Sequence, residues 1–303
     1  MRTMWSDKPE ILRKAPAKIN LFLSVLAKRP DGYHEIDTVF QSISLYDTVR
    51  LCPQQTGILL FCSDSSLPSD SRNLAYRAAS AYFAEAGNTG GVQIHLTKRI
   101  PSGAGLGGGS SDAAAVLLGL NALAKNPLSD AQLFKIAVSL GADVPFFLRG
   151  GTARATGIGE LLSDAPPLQD CQILIVKGAQ HTDTPNAYAA LDACEALPPC
   201  DAQKMLSALS QNAFAVCQAL YNQFAQIAPY AKPLCDRLCA LGADGAALCG
   251  SGAAVFGIFT DSAAANAAKT VFSTEGYFTA LCACCDREGN EMANATQTFP
   301  FLF

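Results

Sequence analysis

The chain has 303 residues, of which 50% are hydrophobic and 16% are charged, and its formal net charge is −4. This length and composition favour a globular protein of two domains over a disordered chain. The mild acidity and the lack of any basic run argue against a nucleic-acid-binding surface, although backbone N–H groups can still form a local phosphate site.

The N-terminal residues and the hydropathy pattern predict a cytoplasmic protein. The segment MRTMWSDKPEILRK has no apolar core and carries Asp7 and Glu10, unlike a secretory signal or a transit peptide. No apolar stretch approaches the length that spans a bilayer. We therefore expect neither nucleic acid nor membrane as a partner, and no obligate protein partner is inferred.

Twelve cysteines are scattered along the chain, mostly within apolar segments. In a reducing compartment this usage indicates small core residues rather than disulfides. A second interpretation is a four-thiolate zinc site, for which the candidates are Cys235, Cys239, Cys282, Cys284 and Cys285. Buried thiols are the commoner case.

The first half of the chain shows two half-buried strands and three helices. Apolar and polar residues alternate over 18–25 and again over 92–97, as strands with one covered face do. Asn73 can cap a helix that runs to Gly87. Helical patterns follow at 111–124 and 130–140, and the second begins with a capping box at Ser129 and ends at Gly141.

A polar, proline-bearing segment at 163–170 predicts a domain boundary, which gives domains 1–165 and 166–303. Beyond it we predict a strand at 172–176, several helices up to Leu241, strands near 246–249 and 254–259, a helix from 262 and a strand from 277. This β-α-β-β-α-β order is ferredoxin-like.

The densest glycine cluster is PSGAGLGGGSS at residues 101–111. It satisfies G-x-G-x-x-G, but the preceding strand alternates and a helix lies where a Rossmann fold requires a second strand with an acidic end. A Walker A loop is excluded because no Gly-Lys-Ser/Thr follows. Two interpretations remain, a tight turn and a phosphate cradle at a helix N-terminus, and the three consecutive glycines favour the cradle.

Three motifs in this order resemble the GHMP small-molecule kinases: Ala15-Pro-Ala-Lys-Ile-Asn20, the loop Pro101–Ser111, and Cys249-Gly-Ser-Gly252. Residues 29–41 (RPDGYHEIDTVFQ) and 141–147 (GADVPFF) are similar to one subfamily, whose substrate is a cytidine-diphosphate-linked methylerythritol. Ala253 departs from the pattern, since relatives often carry Ser, Thr or Pro there, so only a backbone role is expected for that loop.

The resemblance implies an α+β fold with a left-handed β-α-β element in the N-terminal domain, a ferredoxin-like C-terminal domain and an active site between them. It also implies that ATP, with Mg²⁺, phosphorylates a tertiary hydroxyl of the substrate in the non-mevalonate route to isoprenoid precursors. The alternatives are a kinase acting on mevalonate or homoserine, and a nucleotide-binding regulator without turnover.

The resemblance further assigns roles to individual residues. Asp143 would accept the substrate proton, and Lys18 would steer the hydroxyl and the transferring phosphoryl group. The substrate would be bound by Asn20, Tyr33, His34, Thr184 and Tyr188. ATP would be bound by Asn73, Lys98, Pro101, Ser102, Gly103, Ala104, Gly105, Leu106, Gly107, Gly108, Gly109, Ser110 and Ser111. Asp112 is either a first-turn helix residue or a group beside the phosphates, and no metal ligand is assigned.

Overall fold

The computed structural model describes residues 5–87, 90–194, 200–287 and 292. Their secondary structure mixes strands and helices throughout. Within these ranges, no helix has both the length and the apolar character needed to cross a bilayer.

The elements run along the chain in a fixed order. The strands are β1 (Ile11–Lys28), β2 (His34–Gln54), β3 (Ile58–Cys62), β4 (Gly91–Thr97), β5 (Thr152–Thr156), β6 (Leu161–Asp164), β7 (Gln172–Lys177), β8 (Tyr221–Asn222), β9 (Gly245–Leu248), β10 (Val255–Phe259) and β11 (Phe278–Cys282). The α-helices are α1 (Leu74–Ala86), α2 (Gly108–Leu123), α3 (Asp130–Leu140), α4 (Val144–Arg149), α5 (Thr184–Asp192), α6 (Gln203–Leu209), α7 (Ala213–Ala219), α8 (Ala231–Ala240) and α9 (Ser262–Thr274).

The chain divides into two compact units, the first made of Met1–Ala17, Tyr46–Pro101 and Gly107–Arg149. In this unit β3 pairs in parallel with β4, and β4 pairs antiparallel with the second half of β2. Helix α1 connects β3 to β4, which gives a β-α-β element, and it packs against α2 and α3. The N–H groups at the start of α2 therefore lie in this unit, just after the glycine cluster.

The second unit consists of Lys18–Leu45, Ser102–Leu106 and Gly150–Phe303. Its four-stranded sheet has the order β11-β7-β10-β9, and its strand pairs are antiparallel. With helices between β7 and β9 and α9 between β10 and β11, this is the ferredoxin-like arrangement that the sequence predicted. Buried side chains of the sheet and of α8 and α9, among them Val255, Phe259 and Phe272, form its core.

Most predicted elements are observed at or near their predicted ends. Helix α3 spans 130–140 with the capping box at Ser129, and α1 is capped by the Asn73 side chain and ends at Gly87 in the left-handed conformation. Helix α2 starts three residues earlier than predicted, because Gly107, with φ 72°, turns the chain into it. The predicted strand at 18–25 is only the middle of β1, which has 18 residues.

The prediction that the cysteines are core residues holds for half of them. Six are buried: Cys171, Cys217, Cys249, Cys282, Cys284 and Cys285. Cys52, Cys62 and Cys235 are half-buried, and Cys194, Cys200 and Cys239 are exposed. The described part of the chain contains no cluster of three or more His, Cys, Asp or Glu side chains able to hold a metal, so the zinc interpretation gains no support. The domain boundary at 165/166 stays a prediction.

Candidate active site

Lys18 lies on β1 within the second unit, and its side chain is almost fully buried, at 4% exposure. Its Nζ donates to Asn20 Oδ1 at 2.8 Å, and Asn20 Nδ2 donates to Thr38 Oγ1 at 2.8 Å. The period-two geometry of a strand puts Lys18 and Asn20 on the same face. Because burial and the hydrogen bond to Asn20 restrain the ammonium, Lys18 presents a positioned positive charge.

Parts of all three sequence motifs meet in the second unit. The N–H of Lys18 donates to Leu106 O at 3.0 Å, and the N–H groups of Ala253 and Ala254 donate to Gly103 O and Ala104 O at 3.1 and 3.2 Å. The backbone just after the third motif therefore bonds directly to the glycine loop, and the role of the motif itself stays a prediction.

Close packing explains two of the loop's glycines. A Cβ on Gly105 would lie 1.9 Å from Cys249 O, and a Cβ on Gly103 would lie 2.0 Å from the His181 ring. Both residues also have positive φ, 75° and 60°, which L side chains rarely adopt. The turn interpretation thus accounts for these positions.

Gly109 is different from the other glycines of the loop. It is exposed in the first turn of α2, and a Cβ there would meet only Leu74 Cδ1, at an ordinary 3.7 Å. Glycine destabilises a helix relative to alanine by about 0.5–1 kcal/mol. The described packing therefore gives no reason for this glycine.

Lys98 is held between two carboxylates in the first unit. Its Nζ donates to Asp112 Oδ2 at 2.5 Å and to Asp47 Oδ2, and all three side chains are at most 7% exposed. Asp47 Oδ1 also accepts the N–H groups of Arg99 and Ile100, at 2.5 and 2.9 Å. The three charged side chains therefore anchor the segment that leads into the glycine loop.

The electrostatics of this triad are dominated by burial. Burial raises the pKa of Asp112 to about 7, against the opposing charge of Lys98 and with a further contribution from Asp47. For Lys98, burial would lower the pKa, but the charges of Asp112 and Asp47 together raise it above its ordinary value. The ammonium is thus firmly protonated, while Asp112 takes up a proton near neutral pH.

Two buried oxygen atoms at the start of α2 lack a hydrogen-bond partner among the described residues: Ser111 Oγ and Asp112 Oδ1. A buried polar atom without a partner is costly, so it points to a ligand that is bound during function. Hydroxyl and carboxylate oxygens are the donors that Mg²⁺ takes alongside phosphate oxygens. Asp112 is the fifth residue of α2 and lies beyond its first turn, so the predicted first-turn interpretation is wrong.

Asp143 is half-buried and lies in the first unit, in the turn between the end of α3 at Gly141 and the start of α4 at Val144. The N–H of Val144 donates to Gly141 O at 3.1 Å, which closes this turn. Lys18 belongs to the second unit, whereas Asp143 belongs to the first. The two predicted catalytic residues therefore lie in different units.

The residues predicted to bind the base lie in the second unit. His34, the first residue of β2, stacks on Tyr188 of α5 with ring centroids 4.7 Å apart and planes 19° apart. Tyr33 is 58% exposed, and Thr184 Oγ1 lies 3.2 Å from Ser251 Oγ in the third motif. His34 and Tyr188 are thus brought together as an aromatic pair.

Asn73 uses its side chain within the protein. Its Oδ1 accepts from the Ala75 N–H at 3.0 Å, and its Nδ2 donates to Pro68 O at 2.9 Å. Both groups serve the loop and the helix cap. The predicted approach of Asn73 and Lys98 to ATP stays a prediction.

Sequence reasoning missed three residues that organise these sites: Asp47, Asp192 and Asn222. The Nδ2 of Asn222 donates to Leu248 O and Gly250 O, both at 2.8 Å, and so fixes the third motif. Asp192 accepts from His34 Nε2 at 2.7 Å. For Asp192 a signal was present, because it follows Tyr188 by four residues and so shares its helix face. The partners of Asp47 and Asn222 are too distant along the chain to leave a pattern.

Two sequence families match this chain. The GHMP kinases N terminal domain matches residues 73–151, and the GHMP kinases C terminal domain matches residues 192–277. The chain belongs to the GHMP kinase family.

GHMP kinase relatives named 4-diphosphocytidyl-2-C-methyl-D-erythritol kinase include one from Brevibacillus brevis, 42% identical over 251 residues, covering 81% of this chain and 86% of the relative. Another, from Geobacter sp. strain M21, is 39% identical, and the match covers 88% of this chain and 96% of that relative.

Solved GHMP kinase structures agree with the fold. A crystal structure of 4-(cytidine 5'-diphospho)-2C-methyl-D-erythritol kinase is 38% identical, with a TM-score of 0.74, and covers 90% of this chain and 99% of that one. Homoserine kinase from Cytophaga hutchinsonii has a TM-score of 0.72 over 93% of this chain and 95% of its own, but is only 20% identical. That second likeness supports the fold alone.

Proposed function

We propose that this GHMP kinase transfers the γ-phosphoryl group of ATP to the 2-hydroxyl of 4-diphosphocytidyl-2-C-methyl-D-erythritol, in the non-mevalonate route to isoprenoid precursors. The observation that carries the proposal is the near full-length similarity to relatives of that name, at 38–42% identity. The homoserine and mevalonate kinases are similar in fold but only 14–20% identical. The cytoplasm is the proposed location, with ATP and the cytidine substrate as the partners.

For the chemical step, we assign the positive charge to Lys18 and the proton acceptance to Asp143. The loose transition state of phosphoryl transfer needs little prior deprotonation of the hydroxyl. The carboxylate of Asp143 can therefore accept the proton late, as the new O–P bond forms. The ammonium of Lys18, fixed by Asn20, stabilises charge on the transferring group, and its fixed position avoids reorganisation during the reaction.

For ATP, we assign the phosphates to the loop 101–111 and the N-terminus of α2. The exposed Gly109, with room for a Cβ that the protein does not use, supports this assignment. The unpaired oxygens of Ser111 and Asp112 fit Mg²⁺, which would be held there together with phosphate oxygens and would neutralise charge on the phosphates. Asn73 and Lys98 remain candidates for contacts with ATP.

For the cytidine end, we assign Tyr33, His34, Tyr188 and Thr184. The faces of the base are assigned to Tyr33 and Tyr188 and its edge to His34, whose ring lies against Tyr188 with centroids 4.7 Å apart. Base stacking contributes about 1–3 kcal/mol. The exposed ring of Tyr33 is available as a second face. The aromatic pair explains why a substrate with a nucleobase suits this chain better than a small acid does.

The test is a coupled assay of ADP release with CDP-methylerythritol, mevalonate and homoserine as separate acceptors. Turnover with the cytidine substrate alone supports the proposal, and the Asp143→Asn variant, purified in parallel, controls for contaminating ATPase. Turnover with mevalonate or homoserine in its place would reassign the substrate. A lack of turnover with all three, in a protein that binds ATP, would favour the non-catalytic regulator.

A further inference from the structure

Asp192 makes contacts that the kinase reaction does not require. It is the last residue of α5, its Oδ1 lies 2.7 Å from His34 Nε2, and its Oδ2 accepts from Lys28 Nζ at 2.6 Å. All three residues belong to the second unit. The hydrogen bond from Lys28, and then that from His34, hold the pKa of Asp192 below its ordinary value, so the acceptor is an ionised carboxylate.

The His34 ring is constrained in two independent ways. Stacking on Tyr188 fixes the plane of the ring, and the bond to Asp192 fixes which edge faces α5. Tyr188 and Asp192 are four residues apart on α5, so one face of one helix imposes both constraints. The His34 side chain is only 7% exposed, and this leaves it little room to turn.

The bond to a carboxylate also decides where the ring carries its proton. An ionised carboxylate only accepts hydrogen bonds, so Nε2 must be the N–H donor. In a neutral imidazole the other nitrogen then carries a lone pair. The Nδ1 of His34 makes no hydrogen bond to the residues that the structure describes, so that lone pair is available to a ligand.

We propose that Asp192 is a positioning residue for base selection: by holding the proton on His34 Nε2, it presents the Nδ1 lone pair to the exocyclic amine of a cytosine. The inference rests on the proposed function, because it takes His34 as the reader of the base. The amine of cytosine donates a hydrogen bond at the position where uracil has a carbonyl oxygen, which only accepts. A lone pair at Nδ1 therefore favours cytosine and repels uracil.

The alternative is that Asp192 is a partly exposed carboxylate in an ordinary surface ion pair. Such pairs contribute little to stability. The two views differ in what Asp192→Asn does. An asparagine amide can accept from Nε2–H or donate to an Nε2 lone pair, so it permits both tautomers without changing size. If Asp192 were only a surface charge, the choice of base would not change.

The kinetic test compares kcat/KM for the cytidine substrate with that for its uridine-diphosphate analogue. In Asp192→Asn we expect the ratio to fall by about tenfold, which corresponds to ~1.4 kcal/mol, through the KM of the nucleotide substrates and not through the KM of ATP. Asp236→Asn is the matched control, because the one ion pair that Asp236 makes within the described ranges is with the exposed Lys232. An unchanged ratio in Asp192→Asn, with an active parent enzyme, overturns the inference while leaving the proposed function intact.

A second measurement does not depend on turnover. The chain has three histidines, His34, His95 and His181, so the ¹⁵N resonances of the His34 ring can be assigned with a His34→Gln variant. We expect the Nε2–H tautomer in the parent protein and a mixture in Asp192→Asn. A parent protein with the proton on Nδ1 overturns the inference directly. A parent that does not phosphorylate the cytidine substrate overturns both proposals, and the assay with the other acceptors identifies that case.

Discussion

Replacing Lys98 with methionine removes the only described cation between Asp47 and Asp112 while keeping most of the side-chain volume. The ammonium makes two charged hydrogen bonds, each worth about 1.5–3 kcal/mol, so their loss alone amounts to about 3–6 kcal/mol. Burying a methionine costs less free energy than burying an ammonium, and this difference offsets part of the lost hydrogen bonding. Breaking a buried ion pair typically costs about 3–5 kcal/mol, and we expect Lys98→Met to lower the free energy of unfolding by that amount near neutral pH.

The penalty depends on pH in a defined direction. Burial raises the pKa of Asp112 to about 7, so between about pH 4 and pH 7 the folded protein keeps a proton that the unfolded chain has lost. Asp112 therefore contributes less stability as the pH rises through this window. Without the charge of Lys98 its pKa rises further. The destabilisation by Lys98→Met should thus be larger at pH 8 than at pH 5, where Asp112 is neutral in both folded proteins.

Urea unfolding followed by the fluorescence of Trp5 measures the effect. Trp5 is the single tryptophan, and it lies in the same unit as Lys98, where its Nε1 donates to Gly91 O at 2.7 Å. The control is Lys232→Met, which removes an exposed pair with Asp236 and should cost no more than about 0.5 kcal/mol. If both variants lose equally little at pH 8, the reasoning about the buried triad is wrong.

Three further predictions concern the reaction and the loop. Asp143→Asn keeps the side-chain shape but removes the proton acceptor, so kcat should fall at least about a hundredfold with little change in ATP affinity, measured by steady-state kinetics and nucleotide titration. Gly105→Ala forces a Cβ to 1.9 Å from Cys249 O and should lower the melting temperature, measured by calorimetry. Gly109→Ala should leave the free energy of unfolding unchanged or raise it by up to about 1 kcal/mol while weakening ATP binding. Unchanged ATP affinity would mean that Gly109 serves only the turn.

How far the sequence predicted the fold depended on whether the signal was local. The ends of α3 were predicted correctly because a capping box and a glycine mark them within the helix itself. The ferredoxin-like order followed from the sequence of elements. The full length of β1 was not predicted, and β2 was not predicted at all. The second half of β2 is stabilised by pairing with β4, which is distant along the chain and leaves no local signal.

The same distinction applies to the candidate site. The glycine loop, Lys18 and His34 lie in stretches whose residue types suggest their chemistry. Asp112 was ambiguous from sequence, since its partner Lys98 is 14 residues away and its second neighbour Asp47 is reached only through the pairing of β2 with β4. Polar groups that act through a partner on another strand leave no periodic signal, so only the structure shows them.

The loop's glycines separate what the fold requires from what a ligand requires. At Gly105 the backbone conformation and the nearby Cys249 carbonyl would demand glycine in any protein with this turn. At Gly109 neither reason holds, and beside it Ser111 and Asp112 carry buried oxygens without described partners. Glycine in a helix and buried oxygens without partners both cost stability, and a bound phosphate with its cation would account for both. The structural reason to place the phosphates of ATP at α2 is therefore independent of the family's motifs.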